Sequence, residues 1–186
     1  LVEACASFFQ PGLLGGISLL ITAGPTREAI DPVRYISNHS SGKMAYALAN
    51  EAIAAGAKVT MISGPVSLDA PEQVTKIDVT STQEMLDACL EHYQECDVFI
   101  GVAAVADYRP TDVSTEKIKK TESQLHINLV KNPDIISEVA AREDRPFMVG
   151  FAAETSNILE FGREKRRQKN LDLLFANNAT ATFNSD

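Results

Sequence analysis

Short apolar runs alternate with helix-forming segments along this chain, and this alternation leaves few possible folds. Ile17 to Thr22 is an apolar run with β-branched residues, which predicts a buried strand. Residues 41–55 predict a helix ending at Gly56, and residues 58–63 predict a second strand. The stripe of this helix expected to face the core consists of Met44, Leu48, Ala52 and Ala55. Together these segments predict a parallel βαβ unit with a right-handed crossover.

The same alternation continues along the rest of the chain. Further strands are predicted at residues 75–79, 97–102, 126–130, 146–152 and 171–176, and further helices at 82–95, 133–142 and 157–170. The strand at 97–102 is the most apolar, so we expect it near the centre of the sheet. Residues 23–40 and 109–124 are predicted to be loops. The pattern predicts an α/β, three-layer, Rossmann-like fold with a mostly parallel central sheet.

Length and composition narrow the class of protein. The chain has 186 residues, 45% hydrophobic and 23% charged, which suits one folded core. Its formal net charge of −8 argues against nonspecific binding to nucleic acid or to an anionic membrane, but not against a local basic pocket. No apolar run approaches the roughly 18 residues of a membrane helix. Three cysteines without metal-ligand spacing are expected to be free thiols in a reducing cytoplasm.

The first residues form an apolar segment that begins without a methionine and ends in Gly15 and Gly16. We therefore expect residues 1–16 to be a linker from a preceding domain, in a longer polypeptide. Residues 17–186 are expected to form the folded domain.

Polar or glycine-bearing loops follow four of the predicted strands, at residues 23–27 with 38–43, 101–109, 131–134 and 150–155. In parallel sheets, ligands bind beyond the carboxyl ends of the strands, where such loops converge. Small residues before the helix at 41–55 offer backbone N–H groups that suit an anion. These loops predict a nucleotide-sized site, with ordinary turns between strand and helix as the alternative.

Several known motifs are absent. No G-x-G-x-x-G follows the first strand, no acidic residue follows the second strand at Ser63 and Gly64, and no Tyr-x-x-x-Lys pair occurs. An NAD(P)-dependent reductase is therefore weakly supported, and a non-catalytic nucleotide-binding domain is the other alternative. The three histidines show no metal spacing, and His39 suits a positioning hydrogen bond better than base catalysis.

Two basic stretches each have two interpretations. Residues 116–120 are either a solvated charged face or a flap that closes over a phosphorylated substrate. Residues 163–169 are either an exposed helix face or a source of one or two cations for phosphates.

Six segments together resemble phosphopantothenoylcysteine synthetase, and more closely the bacterial C-terminal ligase domain of the bifunctional decarboxylase/synthetase of coenzyme A biosynthesis. They are Thr22–Glu28, Asp31–Lys43, Ala103–Tyr108, Glu116–Lys120, Lys131–Ile135 and Gly150–Thr155. The resemblance runs in order from Ile17 to Asp186. It departs from the family at Ala45, where many members have glycine, and at the C-terminus, where a further stretch is expected to be missing.

The resemblance implies a ligase that uses CTP with Mg²⁺. The carboxylate of 4′-phosphopantothenate attacks the α-phosphate of CTP to give an acyl-cytidylate and pyrophosphate, and L-cysteine then displaces CMP to form the amide. It also implies a homodimer with the site at the interface and a native fusion to a flavin-dependent decarboxylase domain. That domain is not in this sequence, so no flavin is expected here.

The resemblance also implies roles for individual residues. Asn38 and Lys117 would be catalytic, and Arg34, Ala104 and Asn38 would bind 4′-phosphopantothenate. Arg34 precedes Asn38 by the spacing of one helical turn. The nucleotide-binding residues would be Gly24, Ser40, Gly42, Gly101, Val102, Ala103, Asp107, Lys117, Asn132, Pro133, Asp134, Ile135, Phe151, Lys165 and Lys169. Metal ligands are left unassigned.

Overall fold

The structure is a computed structural model that describes residues 12–119, 123–154 and 157–178. In chain order its elements are β1 (Ser18–Ala23), β2 (Arg27–Asp31), β3 (Arg34–Ser37), α1 (Lys43–Ala54), β4 (Lys58–Ser63), β5 (Val74–Asp78), α2 (Thr82–His92), a 3₁₀ turn (Tyr93–Glu95), β6 (Val98–Gly101), β7 (Tyr108–Pro110), β8 (Leu129–Lys131), α3 (Ile135–Ala140), β9 (Phe147–Glu154), α4 (Ile158–Gln168) and β10 (Leu173–Asn178).

The main sheet has six strands in the order β10-β9-β6-β1-β4-β5. Every neighbouring pair in it is parallel. From β1 the chain adds β4 and then β5 on one side. It then adds β6, β9 and β10 on the other side, so the strand order reverses between β1 and β6. This confirms the predicted α/β fold with a parallel sheet, and it places β6 at the centre as expected.

Hydrophobic residues cover both faces of the sheet. In β1, Leu20 belongs to one core cluster, whereas Leu19 and Ile21 belong to the other, because successive strand residues point to opposite faces. The cluster around Leu20 includes buried residues of α2, α3, β6 and β9, and the cluster around Ile21 includes buried residues of α1 and β4. The three layers follow from this two-sided burial.

The predicted inward stripe of α1 is wrong in its first positions. The residues of α1 that are buried are Ala45, Tyr46, Ala49 and Ala52, and Met44 is 39% exposed. Alanines let the helix lie close to the sheet. The hydroxyl of the buried Tyr46 lies 3.1 Å from Ser63 Oγ, and this hydrogen bond offsets the cost of burying it. A stripe chosen by side-chain size favoured the larger Met44, which faces away from the core.

The two predicted loops contain strands that the sequence analysis missed. Residues 23–40 hold β2 and β3, which pair antiparallel, and residues 109–124 begin inside β7, which pairs antiparallel with β8. The predicted strand at 126–130 is replaced by the shorter β8. These strands are short, β8 is exposed throughout and the other three are partly exposed, so they lack the apolar runs that identified the main sheet.

The β2–β3 hairpin lies beside the loops at the carboxyl edge of the main sheet. Arg27 N donates to Thr80 O at 2.8 Å, and Ser114 N donates to Ile30 O at 3.0 Å. The hairpin therefore lies between the loop after β5 and the chain that follows β7.

Residues 1–11 of the expected linker lie outside the described residues. The remainder, 12–16, turns against the end of α1, where Leu14 N donates to Ala55 O at 2.8 Å. Cys89 is buried in the core, and Cys89 and Cys96 are both free thiols. Among the helices of the described ranges, none has both the length and the apolar character required to cross a bilayer.

Candidate functional site

A cavity of about 950 Å³ opens at the carboxyl edge of the sheet, on the side of β6 and β9. Its volume is in the range that holds a nucleotide-sized ligand. The predicted site residues that line it are Asn38, Gly101, Ala103, Ala104, Asp107, Asn132, Pro133, Asp134, Ile135, Phe151, Lys165 and Lys169. They come together because parallel strands bring their following loops to one edge of the sheet.

Two glycines on neighbouring strands line the cavity. Gly101 and Gly150 are paired across β6 and β9. A Cβ at Gly101 would lie 2.7 Å from Ile136 Cδ1, and a Cβ at Gly150 would lie 2.7 Å from Leu171 Cδ1. The side chains of Ile136 and Leu171 therefore pack directly onto the backbone of the two glycines and would have to shift for a Cβ.

The turn after β6 is held by a buried threonine on β1. Thr22 Oγ1 accepts hydrogen bonds from Val102 N at 3.2 Å and from Ala103 N at 3.3 Å. Thr22 also lines the cavity, although the sequence analysis gave it no role. A threonine inside an otherwise apolar strand is the signal that could have identified it.

Asn38 directly follows β3 and reaches the same turn. Its Nδ2 donates a hydrogen bond to Ala104 O at 2.8 Å. Ala104 N in turn donates to Gly24 O at 2.9 Å. Asn38 and Ala104, both predicted to bind substrate, are thus in direct contact. Arg34, however, lies in a strand, so its relation to Asn38 is not that of a helical turn.

Gly24, Ser40 and Gly42 lie next to the cavity, at the N-terminus of α1. Gly24 and Gly42 have φ values of +71° and +79°, which favour glycine. A Cβ on Gly42 would lie 3.5 Å from Gly24 Cα, so the two backbones approach closely. Gly42 N donates to Ser40 Oγ at 3.3 Å. Small residues at a helix N-terminus suit an anion, and the Gly24–Ala104 hydrogen bond joins this group to the cavity.

Two lysines of the C-terminal part of the chain line the cavity. Lys169 Nζ lies 2.8 Å from Asp134 Oδ2, and Asp134 Oδ1 accepts a hydrogen bond from Ser137 N at 3.3 Å. Burial raises the pKa of Asp134, but hydrogen bonds and charge from Lys169, together with Ser137 N–H, outweigh it and hold the pKa below its usual value. Asp134 therefore stays ionised and keeps Lys169 at the cavity.

The side-chain amide of Asn132 forms hydrogen bonds to residues beneath the cavity. Its Nδ2 donates to Ala106 O at 2.8 Å and to Thr82 Oγ1 at 3.2 Å, and its Oδ1 accepts from Arg109 Nη1 at 2.9 Å. The predicted nucleotide-binding residue Asn132 thus lines the cavity while its amide holds neighbouring loops.

This scaffold continues to a buried carboxylate. Thr82 Oγ1 donates to Glu28 Oε1 at 2.7 Å, and Thr82 N donates to the same oxygen at 2.9 Å. The Thr82 hydroxyl has one hydrogen and donates it to Glu28. Thr26 is therefore the donor in the 3.1 Å contact between the two threonine hydroxyls. Thr26 Oγ1 then accepts from Ala106 N at 2.9 Å. All the buried polar groups of this network are satisfied.

An aromatic pair borders the cavity. Phe151 stacks on Phe175 with ring centroids 5.1 Å apart and an angle of 22° between the planes. The two residues are register partners on β9 and β10. Phe151 lines the cavity and Phe175 does not, so Phe175 supports the exposed side of the pair. No local sequence pattern points to Phe175, because only the pairing of β9 with β10 brings it next to Phe151.

Arg34 and Lys117 do not line the cavity in the described part of this chain. Lys117 is exposed on the chain between β7 and β8. Arg34 pairs with the buried carboxylate of Asp31. Hydrogen bonds from Arg34 hold the pKa of Asp31 well below its usual value, against the opposing effect of burial, with help from the Val33 and Ile118 N–H groups. Val102, Gly24, Ser40 and Gly42 do not line the cavity either.

The carboxylates at the cavity fit a metal ion carried by a ligand better than a metal held by the protein. Within residues 12–119, 123–154 and 157–178, no group of three or more His, Cys, Asp or Glu side chains could hold a metal. Of the two acidic residues in the lining, Asp134 is paired with Lys169, and Asp107 is exposed. Mg²⁺ commonly binds through one or two carboxylates together with substrate phosphates, and Asp107 could supply one of them.

Comparison with known proteins gives a consistent set of relatives. The Coenzyme A biosynthesis bifunctional protein CoaBC of Vibrio parahaemolyticus is 55% identical over 192 residues, which cover 100% of this chain and 48% of that protein. The protein of the same name from Escherichia coli K12 is 53% identical over 194 residues, with the same coverage of 100% and 48%. This chain therefore spans about half the length of the curated relatives it matches.

A solved structure and a family model agree with these relatives. The crystal structure of the C-terminal domain of a CoaBC protein is 46% identical, with a TM-score of 0.80, covering 91% of this chain and 80% of that chain. The family model described as DNA/pantothenate metabolism flavoprotein C-terminal domain matches residues 14–186. The chain therefore belongs to the family of DNA/pantothenate metabolism flavoprotein C-terminal domains.

Proposed function

We propose that this chain is a phosphopantothenate–cysteine ligase that activates its acid substrate with CTP. The observation that supports the proposal is a contact between the cavity and the glycine group, which we define as Gly24, Ser40 and Gly42 at the N-terminus of α1. The hydrogen bond from Ala104 N to Gly24 O, 2.9 Å long, joins a nucleotide-sized cavity to a group of backbone amides suited to phosphates. The similarity to CoaBC proteins supports the same function.

The reaction has two steps that balance. A carboxylate oxygen of 4′-phosphopantothenate attacks the α-phosphorus of CTP, the bond between the α-phosphorus and its bridging oxygen breaks, and pyrophosphate leaves. The amine nitrogen of L-cysteine then attacks the acyl carbon. The bond between that carbon and the phosphate oxygen breaks, CMP leaves, and the amine loses a proton to solvent. Neither step needs a protein nucleophile, so positioning and charge stabilisation carry the catalysis.

The proposed role of each nucleotide-binding residue depends on its position in the site. Gly24, Ser40 and Gly42 would bind the triphosphate through backbone and hydroxyl groups, and Lys165 and Lys169 would add positive charge. Phe151 would stack against the base or ribose. The cavity and the N-terminus of α1 beside it support these roles.

Asn38 is the residue we expect to stabilise the reacting acyl group. One hydrogen of its amide is held by Ala104 O, which leaves the second hydrogen for a ligand oxygen. Asp107 would help to hold Mg²⁺ together with the phosphates of the nucleotide, and the ion would supply charge neutralisation when bound.

We further propose that the working enzyme is a homodimer. Arg34 and Lys117 lie outside the cavity of their own chain, and a second copy could place them at the site. Fusion to a decarboxylase domain is proposed because the relatives are bifunctional proteins about twice as long as this chain. A cytoplasmic location is proposed with the same relatives in mind.

Pyrophosphate release is the direct test. The complete natural polypeptide is incubated with CTP, Mg²⁺ and 4′-phosphopantothenate but without cysteine. We expect release of pyrophosphate and an acyl-cytidylate detectable by mass. Release with ATP but not with CTP would keep the ligase and overturn the nucleotide. Absence of reaction with either nucleotide, even after cysteine is added, would favour a non-catalytic nucleotide-binding domain.

A further inference from the structure

Asp31, at the end of β2, is a buried carboxylate with more partners than its turn requires. Its Oδ1 accepts hydrogen bonds from Val33 N at 3.0 Å and from Arg34 N at 2.9 Å, which close the turn between β2 and β3. Its side chain has no exposed surface. The turn therefore uses one oxygen only, and the second oxygen serves another purpose.

The second oxygen of Asp31 holds the Arg34 side chain. Oδ2 accepts from Arg34 Nε at 2.9 Å and forms a short contact with Nη2. Within the described ranges Nη1 donates no hydrogen bond, and the Arg34 side chain is 40% exposed. An arginine held along one edge keeps its remaining N–H groups in a fixed direction for an anion.

The same oxygen also binds the chain between β7 and β8. Ile118 N donates to Asp31 Oδ2 at 3.1 Å, and Ile118 O accepts from Arg34 Nη2 at 3.2 Å. Both backbone polar groups of Ile118 are therefore bound to one ion pair, 84 to 87 residues earlier in the chain. The neighbouring Lys117 and Lys119 are exposed.

We propose that Asp31 is a positioning residue that sets Arg34 and the adjacent lysine segment, residues 114–119, as one unit for the phosphate of the acid substrate. The proposal rests on the proposed function, because it names the group that the phosphorylated end of the substrate meets. Arg34 supplies the directed N–H group, and Asp31 holds both Arg34 and the backbone of Ile118, the residue after Lys117. A carboxylate that only stabilised the hairpin would not need its second oxygen.

The variant Asp31→Asn tests this in the complete natural polypeptide. It keeps the size of the side chain but removes the charge and one of the two acceptors. The measurement is the ratio of kcat/KM for 4′-phosphopantothenate to that for pantothenate, which lacks the phosphate. We expect the ratio to fall on the order of tenfold or more, because charge-assisted hydrogen bonds to Arg34 are lost.

Hydrogen exchange provides a second readout. Peptides covering residues 114–119 should exchange faster in Asp31→Asn, while peptides from α1 should exchange as in the wild type. The matched control is Asp69→Asn, an exposed acidic residue far along the chain from this contact. The control should leave both the kcat/KM ratio and the exchange unchanged.

The possible outcomes separate the two proposals. A folded Asp31→Asn protein with an unchanged kcat/KM ratio overturns the role of Asp31, and so does an equal fall in Asp69→Asn. If Asp31→Asn does not fold, Ile118→Pro decides, since it removes the N–H donor to Asp31 and leaves the side chains of Asp31 and Arg34 in place. That variant should lower kcat and speed exchange at 114–119, and no change in either would overturn the proposal. Wild-type protein that makes no acyl-cytidylate overturns the proposed function, and the role of Asp31 with it.

Discussion

The side-chain amide of Asn38 donates a hydrogen bond to the carbonyl oxygen of Ala104 across 2.8 Å and 66 residues of sequence. This contact connects the end of the β2–β3 hairpin to the turn after β6, at the point where the strand order of the sheet reverses. The amide is thus fixed in direction before any ligand arrives. A preset donor of this kind stabilises developing negative charge without having to reorganise.

Replacing Asn38 by aspartate should separate the two half-reactions. The carboxylate cannot donate to Ala104 O or to a reacting acyl oxygen, so we expect amide formation to slow about a hundredfold while acyl-cytidylate formation persists. Single-turnover assays with and without cysteine measure the two steps. The control is Asn50→Asp on the exposed side of α1. Equal loss of both half-reactions in Asn38→Asp would contradict the proposed role.

Replacing Lys117 by glutamine distinguishes the two interpretations of the basic stretch at 116–120. If Lys117 meets the triphosphate or acyl group, turnover should fall about tenfold or more with an unchanged melting temperature, since Lys117 is exposed. Steady-state kinetics and thermal unfolding are the measurements. Lys58→Gln, another exposed lysine, is the control. An unchanged rate in Lys117→Gln would identify the stretch as a solvated face.

Substitution of Gly42 by alanine should reduce both stability and nucleotide binding. The φ of +79° costs about 1 kcal/mol for a residue with a Cβ, and that Cβ would lie 2.9 Å from Val66 Cγ1. Gly16→Ala is the matched control, because Gly16 has a φ of +85° but no atom within 4 Å of a Cβ. Urea unfolding should show a larger loss for Gly42→Ala. Equal losses would show that crowding at Val66 is absent.

The ion pair between Arg145 and Asp172 should make stability depend on acid pH. Hydrogen bonds from Arg145, followed by that from Met148 N, hold the pKa of Asp172 below its usual value. A lowered pKa means that the contribution is complete above about pH 4 and is lost as pH falls through the folded pKa.

The variant Asp172→Asn tests this dependence. It should lower the free energy of unfolding at neutral pH by about 1 to 3 kcal/mol and flatten its decline below about pH 4. Urea titrations between pH 2 and pH 7, roughly the window set by the reference pKa, measure both effects. Asp69→Asn should keep the wild-type slope. A wild-type slope in Asp172→Asn as well would contradict this assignment.

The main sheet could be predicted from the sequence because buried parallel strands leave apolar runs. β4 was predicted with its observed bounds, and β1 and β5 within one residue. The hairpin of β2 and β3 could not be found in this way, because its strands are half exposed and carry charged residues such as Arg27 and Arg34. Their pairing depends on a turn closed by Asp31. From its polar composition alone, this stretch is predicted to be a loop.

The location of the cavity was predictable, but the direction of its side chains was not. Loops after parallel strands must meet at one edge, which brought Asp107 and Asp134 together as expected. Asn132, however, turns its amide toward Thr82, 50 residues away, and no local pattern records such a partner. Glu28 was equally hidden, because a glutamate is expected at the surface until a buried donor is found for it.

The reversal of strand order between β1 and β6 has a thermodynamic consequence. The glycine group at α1 belongs to the half of the sheet that holds β1, β4 and β5, whereas most of the cavity belongs to the half that holds β6, β9 and β10. A ligand that occupies both is bound only while the two halves stay together. At a hundredfold excess over its dissociation constant such a ligand adds about 2.7 kcal/mol against unfolding. If the two halves separated, this added free energy would be lost. Ligand binding therefore makes the unfolding of this open sheet more cooperative.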